Sequence, residues 1–222
     1  MIHYRFLLVS IGLMVIVGGC MASKKSDKLR SYRTRRNLKR SGEPVGTCRT
    51  TKKQSLQPIF VIQKHGASHL HYDVRLEIDG VLVSWAVPKG PSVSPRIKRL
   101  AMPTDDHPME YADFEGVIPE GYGAGTVMVW DTGTYSNVRE HEGKLVPMGR
   151  CLREGRIEIF LDGQKLKGAF ALVRTKGTTM KGWLLIKMRD EYADVWQGSK
   201  KDREKSVVSG RTMHQIAQEE GA

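Results

Sequence analysis

The sequence predicts an all-β fold: a barrel-like core of about eight strands with a basic N-terminal arm and short peripheral helices. Three observations predict it. Short apolar runs rich in β-branched and aromatic residues recur between positions 59 and 188, several with the two-residue period of a strand with unlike faces. Asp-Gly pairs at Asp79-Gly80 and Asp162-Gly163 lie between such runs, and Asp-Gly in that setting is the strongest short hairpin signal. No stretch longer than about ten residues keeps a 3.6-residue period before Glu191. Short strands with turn signals between them form barrels or sandwiches.

A chain of 222 residues accommodates one domain with a sizeable core and extensions, divided here as an apolar segment 1–20, a basic arm 21–53, a barrel domain 54–196 and a polar C-terminal tail 197–222. The apolar run at 6–20 is shorter than the roughly 20 residues that span a bilayer and reads as a signal-peptide core; Val17-Gly18-Gly19-Cys20 resembles a lipoprotein cleavage box. Two readings follow, an exported or lipid-anchored form and a cytoplasmic, nucleoid-associated protein that starts at Met21. The second is favoured because Met-Ala-Ser-Lys-Lys-Ser is an ordinary cytoplasmic beginning. Cys20, Cys48 and Cys151 are widely spaced and form no Cys-x-x-Cys pair, which argues against a structural zinc site or disulfide framework and fits a reducing compartment.

The formal charge of +12 is concentrated in the arm, where twelve Lys and Arg face only Asp27 and Glu43; beyond Lys53, 23 basic residues meet 22 acidic ones. A basic arm on a neutral body suits a segment that tracks phosphates. A solvated tail without a partner is the plainer alternative. Tyr32 and Leu38 are placed to dock part of the arm on the body.

Residues 59–62 (IFVI) form a strand that leads into Gln63 and His65. The next strand runs from Leu70 to the Asp79-Gly80 turn, and its partner is VLVSWAV at 81–87. Pro88-Lys89-Gly90-Pro91 forces a turn. Residues 96–103 are a basic, mixed segment and 104–108 a polar loop, with His107 biased toward extended geometry by Pro108. The glycine-rich stretch 116–125 is a loop. Strands follow at 126–130, 156–161, 169–175 and 183–188, and a short helix at 213–219.

The densest chemistry lies at 63–77. From Leu70 onward His71, Asp73, Arg75 and Glu77 alternate with Tyr72, Val74, Leu76 and Ile78, so the first four share a face. His71 and Asp73 can grip one ion with Arg75 beside them, and a turn can bring His65 back as a third ligand. Read alone, the same pattern equally describes a solvated strand face.

Further along the chain the motifs accumulate: Gln63-Lys64-His65, Leu70-His71-Tyr72-Asp73-x-Arg75-Leu76-Glu77, Ser84-Trp85-Ala86-Val87-Pro88-Lys89-Gly90-Pro91, Asp106-His107-Pro108, Tyr111-Ala112-Asp113-Phe114-Glu115-Gly116 and Tyr122-Gly123-Ala124-Gly125. With Trp130-Asp131-x-Gly133 and Leu172-Val173-Arg174-Thr175, this series resembles the 3′-phosphoesterase domain of DNA ligase D across residues 31–193. The resemblance implies an all-β hydrolase that trims broken DNA 3′ ends or primer-template ends with Mn²⁺, removing a terminal ribonucleoside or a 3′-phosphate. It implies His65, His71 and Asp73 as metal ligands, a donor set that Zn²⁺ or another divalent ion would also accept. It makes Arg75 and Arg99 phosphate-holding residues and His107 a participant in phosphoryl transfer. Gln63, Asp105, Tyr111, Glu43 and Arg36 fall on supporting positions, and Lys89 is a weaker phosphate candidate.

Three departures from the family pattern stand out. Asn37 replaces an acidic residue, Asp105 a glutamate, and the 119–122 loop is one residue tighter. No Lys-x-Asp-Gly adenylation motif is present, so the expected partners are a separate DNA ligase and a Ku-like end-binding protein, with the chain itself monomeric. The alternatives are a DNA-end-binding module without chemistry and an exported phosphodiesterase.

Overall fold

The computed structural model describes residues 27–46, 57–176 and 182–220. The apolar run 6–20, the Met21 start, Cys48 and part of the basic arm lie outside the described residues. Strands β1 (Ile59–Gly66), β2 (Leu70–Ile78), β3 (Val81–Val87) and β4 (Lys98–Pro103) are followed by β5 (Gly116–Ile118), β6 (Gly125–Asn137), the small hairpin β7 (Glu140–His141) and β8 (Lys144–Leu145), then β9 (Arg156–Gly163), β10 (Lys167–Arg174) and β11 (Trp183–Lys187). The ladder runs antiparallel in the order β1-β2-β3-β4-β11-β10-β9-β6, and β6 pairs back onto β1. Eight strands thus close a barrel, with β5 added at the edge of β6. The expected fold class is what the chain adopts.

β6 closes the barrel because its 13 residues serve two edges. One edge pairs with β1; the other pairs first with β5 and then, from Gly133 to Asn137, with β9. The β2–β3 hairpin turns at Asp79-Gly80, both with positive φ, between the paired Ile78 and Val81, as a two-residue turn of this chemistry requires. The second Asp-Gly pair behaves differently. Asp162 pairs with Lys167, so Gly163 ends β9 and the turn itself is 164–166.

Strand alternation sorts side chains onto two faces. Phe60, Ile62, Val74, Leu76, Trp85, Phe170 and Leu185 fill the barrel interior. Burial of each such side chain stabilises the fold by about 1.5–3 kcal/mol. The opposite face of β1–β3 carries Val61, Gln63, His65, Asp73, Arg75, Leu82 and Ser84, and it is buried too. Its cover is the arm, folded as α1 (Arg30–Arg35) and α2 (Leu38–Ser41), together with the 3-10 turn Met109–Asp113. Tyr32 and Tyr111 pack there against Val61, Leu82 and Val129, and the Tyr32 hydroxyl donates to Pro44 O at 2.7 Å.

Elements that the sequence did not announce are β4 within the basic segment, β5 at the start of the glycine-rich stretch, and α3 (Met148–Glu154), which ends at the left-handed Gly155. The region read as a polar tail packs on the barrel. Its helix α4 (Met213–Glu220) buries Ile216 in the main core, Trp130 Nε1 donates to Arg203 O at 2.6 Å, and Val207 N donates to Val129 O at 3.0 Å. Among the described residues no helix is long and apolar enough to cross a membrane.

Candidate metal centre and active site

The β1–β2 hairpin sets His65 opposite His71 and Gln63 opposite Asp73. A register shift in the β1–β6 ladder falls between Ile62 and Gln63, just where β1 changes from apolar to site residues; such irregularities re-aim side chains. His65, His71 and Asp73 each present a ligand atom, all within 4.8 Å of one another. His65 Nδ1 lies 3.6 Å from Asp73 Oδ2, and His71 Nε2 lies 3.7 Å from Oδ1.

The outer nitrogens decide whether this set fits a metal. His65 Nε2 is 3.0 Å from Gly123 O and His71 Nδ1 is 2.9 Å from His69 O. Carbonyl oxygens only accept, so those nitrogens carry the protons and the inner nitrogens are left as lone pairs. This carbonyl–imidazole arrangement is the one metal-binding histidines use. Burial alone would raise the Asp73 carboxyl; the charge of the Arg75 guanidinium overrides it and holds the group well below the carboxylate range. Two imidazoles and an ionised carboxylate fit a divalent ion. Gly125, at φ 138°, makes the approach feasible, because a Cβ there would strike Gly66 O and the Ala67 backbone next to His65.

Arg75 is the hub of the buried face. Its Nε donates to Gln63 Oε1 at 2.7 Å, Nη2 to Asp73 Oδ2 at 2.9 Å and Nη1 to Ser84 Oγ at 3.0 Å. Gln63 in turn donates through Nε2 to Tyr111 O and Phe114 O, both at 3.0 Å, which ties the 3-10 turn to β1. The Tyr111 ring lies against the Arg75 guanidinium, 4.9 Å from its centroid.

His107 is placed by two backbone hydrogen bonds with Leu82, which bring it beside Ser84 and Arg75. Its Nδ1 is 2.7 Å from Asp105 O and 2.8 Å from Arg75 Nη1, and its Nε2 is 3.1 Å from Arg36 Nη2. A proton on Nδ1 satisfies both Asp105 O and Arg36, whereas a proton on Nε2 satisfies only Arg75, so the first tautomer is assigned. Burial, then the charges of Arg75 and Arg36, hold the His107 pKa well below 6.5.

The arm completes the enclosure. Arg36 Nε donates to Glu43 Oε1 at 3.1 Å, its Nη1 is 3.4 Å from Asp105 Oδ2, and its guanidinium stacks on Tyr32 at 4.4 Å. Tyr111 Oη also donates to Glu43 Oε1 at 3.1 Å, and burial pushes that hydroxyl well above its ordinary pKa. Together these residues line a cavity of about 210 Å³ whose walls include the three ligand candidates, Arg36, Glu43, Arg75, His107 and Tyr111. A larger groove, about 410 Å³, lies between Arg139, Arg150 and Arg156. There Glu154 and Glu158 already engage the guanidiniums.

Asp105 sits behind the cavity, where its carboxylate pairs with Arg35 and Arg36. Arg99 and Lys89 do not line the cavity. Arg99 lies on β4 opposite Leu185, on the strand face of the buried Ala101; Lys89 is exposed in the turn after β3. Asn37 is exposed, and its carbonyl caps α2. Four contributors escaped the sequence reading: Ser84, Thr104, Tyr122 and the Gly123 carbonyl. Ser84 left a signal, as the lone polar residue in VLVSWAV.

Comparison with known proteins places this cavity in a family. Residues 63–174, half of the chain, match the family model described as the DNA ligase D 3′-phosphoesterase domain. The chain is 44% identical over 199 residues to the multifunctional non-homologous end joining protein LigD of Pseudomonas aeruginosa, an alignment covering 85% of this chain and 22% of that protein. It is 41% identical over 167 residues to the LigD of Mycobacterium tuberculosis, covering 75% of this chain and 20% of the relative. The chain thus spans about a fifth of the length of the curated relatives it matches. The matched segment contains the three metal-ligand candidates, Arg75 and His107, while Arg36 and Glu43 of the arm lie outside it, and the chain belongs to the DNA ligase D 3′-phosphoesterase domain family.

Proposed function

We propose that this protein is a metal-dependent 3′-phosphoesterase acting on DNA ends in non-homologous end joining. It releases a 3′-terminal ribonucleoside, which leaves a 3′-phosphate on the primer, and hydrolyses a 3′-phosphate to the 3′-hydroxyl that a ligase acting in trans requires. One observation carries the reading: His65, His71 and Asp73 present ligand atoms within 4.8 Å of one another in the same cavity as two guanidiniums and the His107 imidazole. His65, His71 and Asp73 would hold Mn²⁺, with Zn²⁺ compatible, and the ion when bound supplies Lewis-acid polarisation of a phosphate oxygen.

The chain's own residues supply the rest. Arg75 has five N–H donors, of which Gln63, Asp73 and Ser84 take three, so it retains donors for phosphate oxygens. Arg36 adds a second positive charge across His107. Such donors stabilise the charge that develops on phosphorus-bound oxygens as water attacks and the ester bond breaks, to the 5′ oxygen of a departing ribonucleoside or to the 3′ oxygen of the primer when a 3′-phosphate is removed. A bound phosphate offsets the two guanidiniums and raises the His107 pKa, which suits the ring to protonate the departing oxygen. A Ku-like protein is the partner expected to deliver ends, and the cytoplasm the expected compartment.

The rival reading is an end-binding module without chemistry. Purified wild type and His71→Ala are assayed on primers with a 3′-phosphate or a 3′-ribonucleotide under Mn²⁺ titration. Expected are metal-dependent release by wild type and a loss of about 100-fold or more in the variant. Equal, metal-independent activity in both overturns the proposal, and binding without turnover favours the rival.

A further inference from the structure

Tyr122 lines the cavity, yet neither the metal-ligand set nor the Arg75–His107 pair uses its side chain. It is 47% exposed and is the one aromatic among the large apolar side chains that the described residues leave open to solvent. The ring is nevertheless held in place. The guanidiniums of Arg36 and Arg35 lie 5.1 and 5.5 Å from its centroid, and the Arg40–Glu120 ion pair, at 2.8 Å, joins the arm to the same loop. The carbonyl of the next residue, Gly123, ties that loop to His65. An open aromatic ring with cations beside it suits a nucleic-acid strand, since every base has a π-face and the backbone is an anion. A ring already held by its neighbours also loses little freedom when a base stacks on it.

We propose that Tyr122 is a stacking platform for the nucleobase of the nucleotide that carries the 3′-phosphate. The inference rests on the phosphoesterase reading, which puts that phosphate beside the metal-ligand candidates. At about 210 Å³ the cavity is small against the roughly 300–1,000 Å³ of sites that enclose whole ligands. It takes the phosphate and its sugar and leaves the base at the rim, where the exposed part of the Tyr122 ring lies. The terminal nucleotide is then gripped at both of its ends, by charge inside the cavity and by stacking outside it. Stacking is tolerant of sequence, so Tyr122 senses that a base is present and not which base it is.

Two duplexes test this, each with a one-nucleotide 3′ overhang ending in a 3′-phosphate, the overhanging nucleotide carrying adenine in one and no base in the other. The overhang keeps the base free of a pairing partner. Equilibrium binding is measured by anisotropy in chelator and turnover with Mn²⁺. Wild type is expected to bind the adenine end about tenfold more tightly than the abasic end, the size of one base stacked on an aromatic ring, with the same ratio in KM and little change in kcat. Tyr122→Leu brings the ratio toward one, whereas Tyr122→Phe and Tyr122→Trp keep it. Equal binding of the two ends by wild type overturns the platform. So does a Tyr122→Leu variant that weakens both ends by the same factor, because the ring then only holds Arg35 and Arg36 against the loop. Base-dependent binding that Tyr122→Leu abolishes, without turnover under any metal, retains the platform and sinks the phosphoesterase reading alone; metal-dependent turnover that ignores the base sinks the platform alone.

Discussion

His107 is a histidine kept neutral by its surroundings, and that has a thermodynamic sign. Its folded-state pKa lies well below the ordinary 6.5, so between those two values only the unfolded chain takes up the proton. Its contribution is fully present above about pH 6.5 and is lost as pH falls, by up to about 1.4 kcal/mol per pH unit. Chemical denaturation of wild type and His107→Gln at pH 8 and pH 5 should show the gap between them narrowing at pH 5; a constant gap contradicts the assignment. Residues of this kind were partly legible. His65, His71, Asp73 and Arg75 lie within eleven positions, and the two-residue period puts three of them on one face. Thr104 was not legible, because only tertiary packing brings it to the cavity wall. Arg99 shows the opposite limit: the same period sets it on the face of the buried Ala101.

At the scale of elements, β6 and the β9–β10 turn are joined by one carboxylate. Asp131 Oδ1 accepts from Thr132, Gln164 and Lys165 N at 2.9–3.0 Å, and Oδ2 accepts from Leu166 N at 2.8 Å. Asp131→Asn turns one acceptor into a donor that faces backbone N–H groups. The expected loss is about 1–3 kcal/mol, or about 2–4 °C in Tm per kcal/mol. An unchanged thermal transition would show that water replaces the clamp. The Asp79-Gly80 hairpin was legible because turn and strands agree locally. β4 was not, since its two neighbours, β3 and β11, are about 15 and 85 residues away in sequence and it pairs with β3 through only two residues. The α3 boundaries, Pro147 and Gly155, were ordinary start and stop signals within too short a span to show a period.

For the molecule as a whole, the metal-ligand candidates and the rest of the candidate site belong to different parts of the chain. His65, His71 and Asp73 stand on a barrel hairpin, whereas Arg36 and Glu43 arrive on the arm held by Leu29 and Tyr32, both fully buried. Removing residues 1–46 should therefore leave Mn²⁺ affinity within a few-fold by calorimetry while turnover falls by about 100-fold or more. Parallel loss of both would show that the arm is required to keep the hairpin in place. The barrel class was legible from short strands and turns, but its closure by β6 on β1 was not, because that pairing joins segments about 70 residues apart.

The hydrogen bond from His65 to the Gly123 carbonyl carries a last consequence. The glycine-rich loop orients a candidate ligand through its main chain, so what matters to that ligand is the position of one oxygen rather than any side chain. A saturation scan of residues 119–124 should be permissive at Glu120 and Ala124, yet an inserted or deleted residue should uncouple the loop from the metal. Loop length rather than side-chain identity is then what keeps that oxygen on His65.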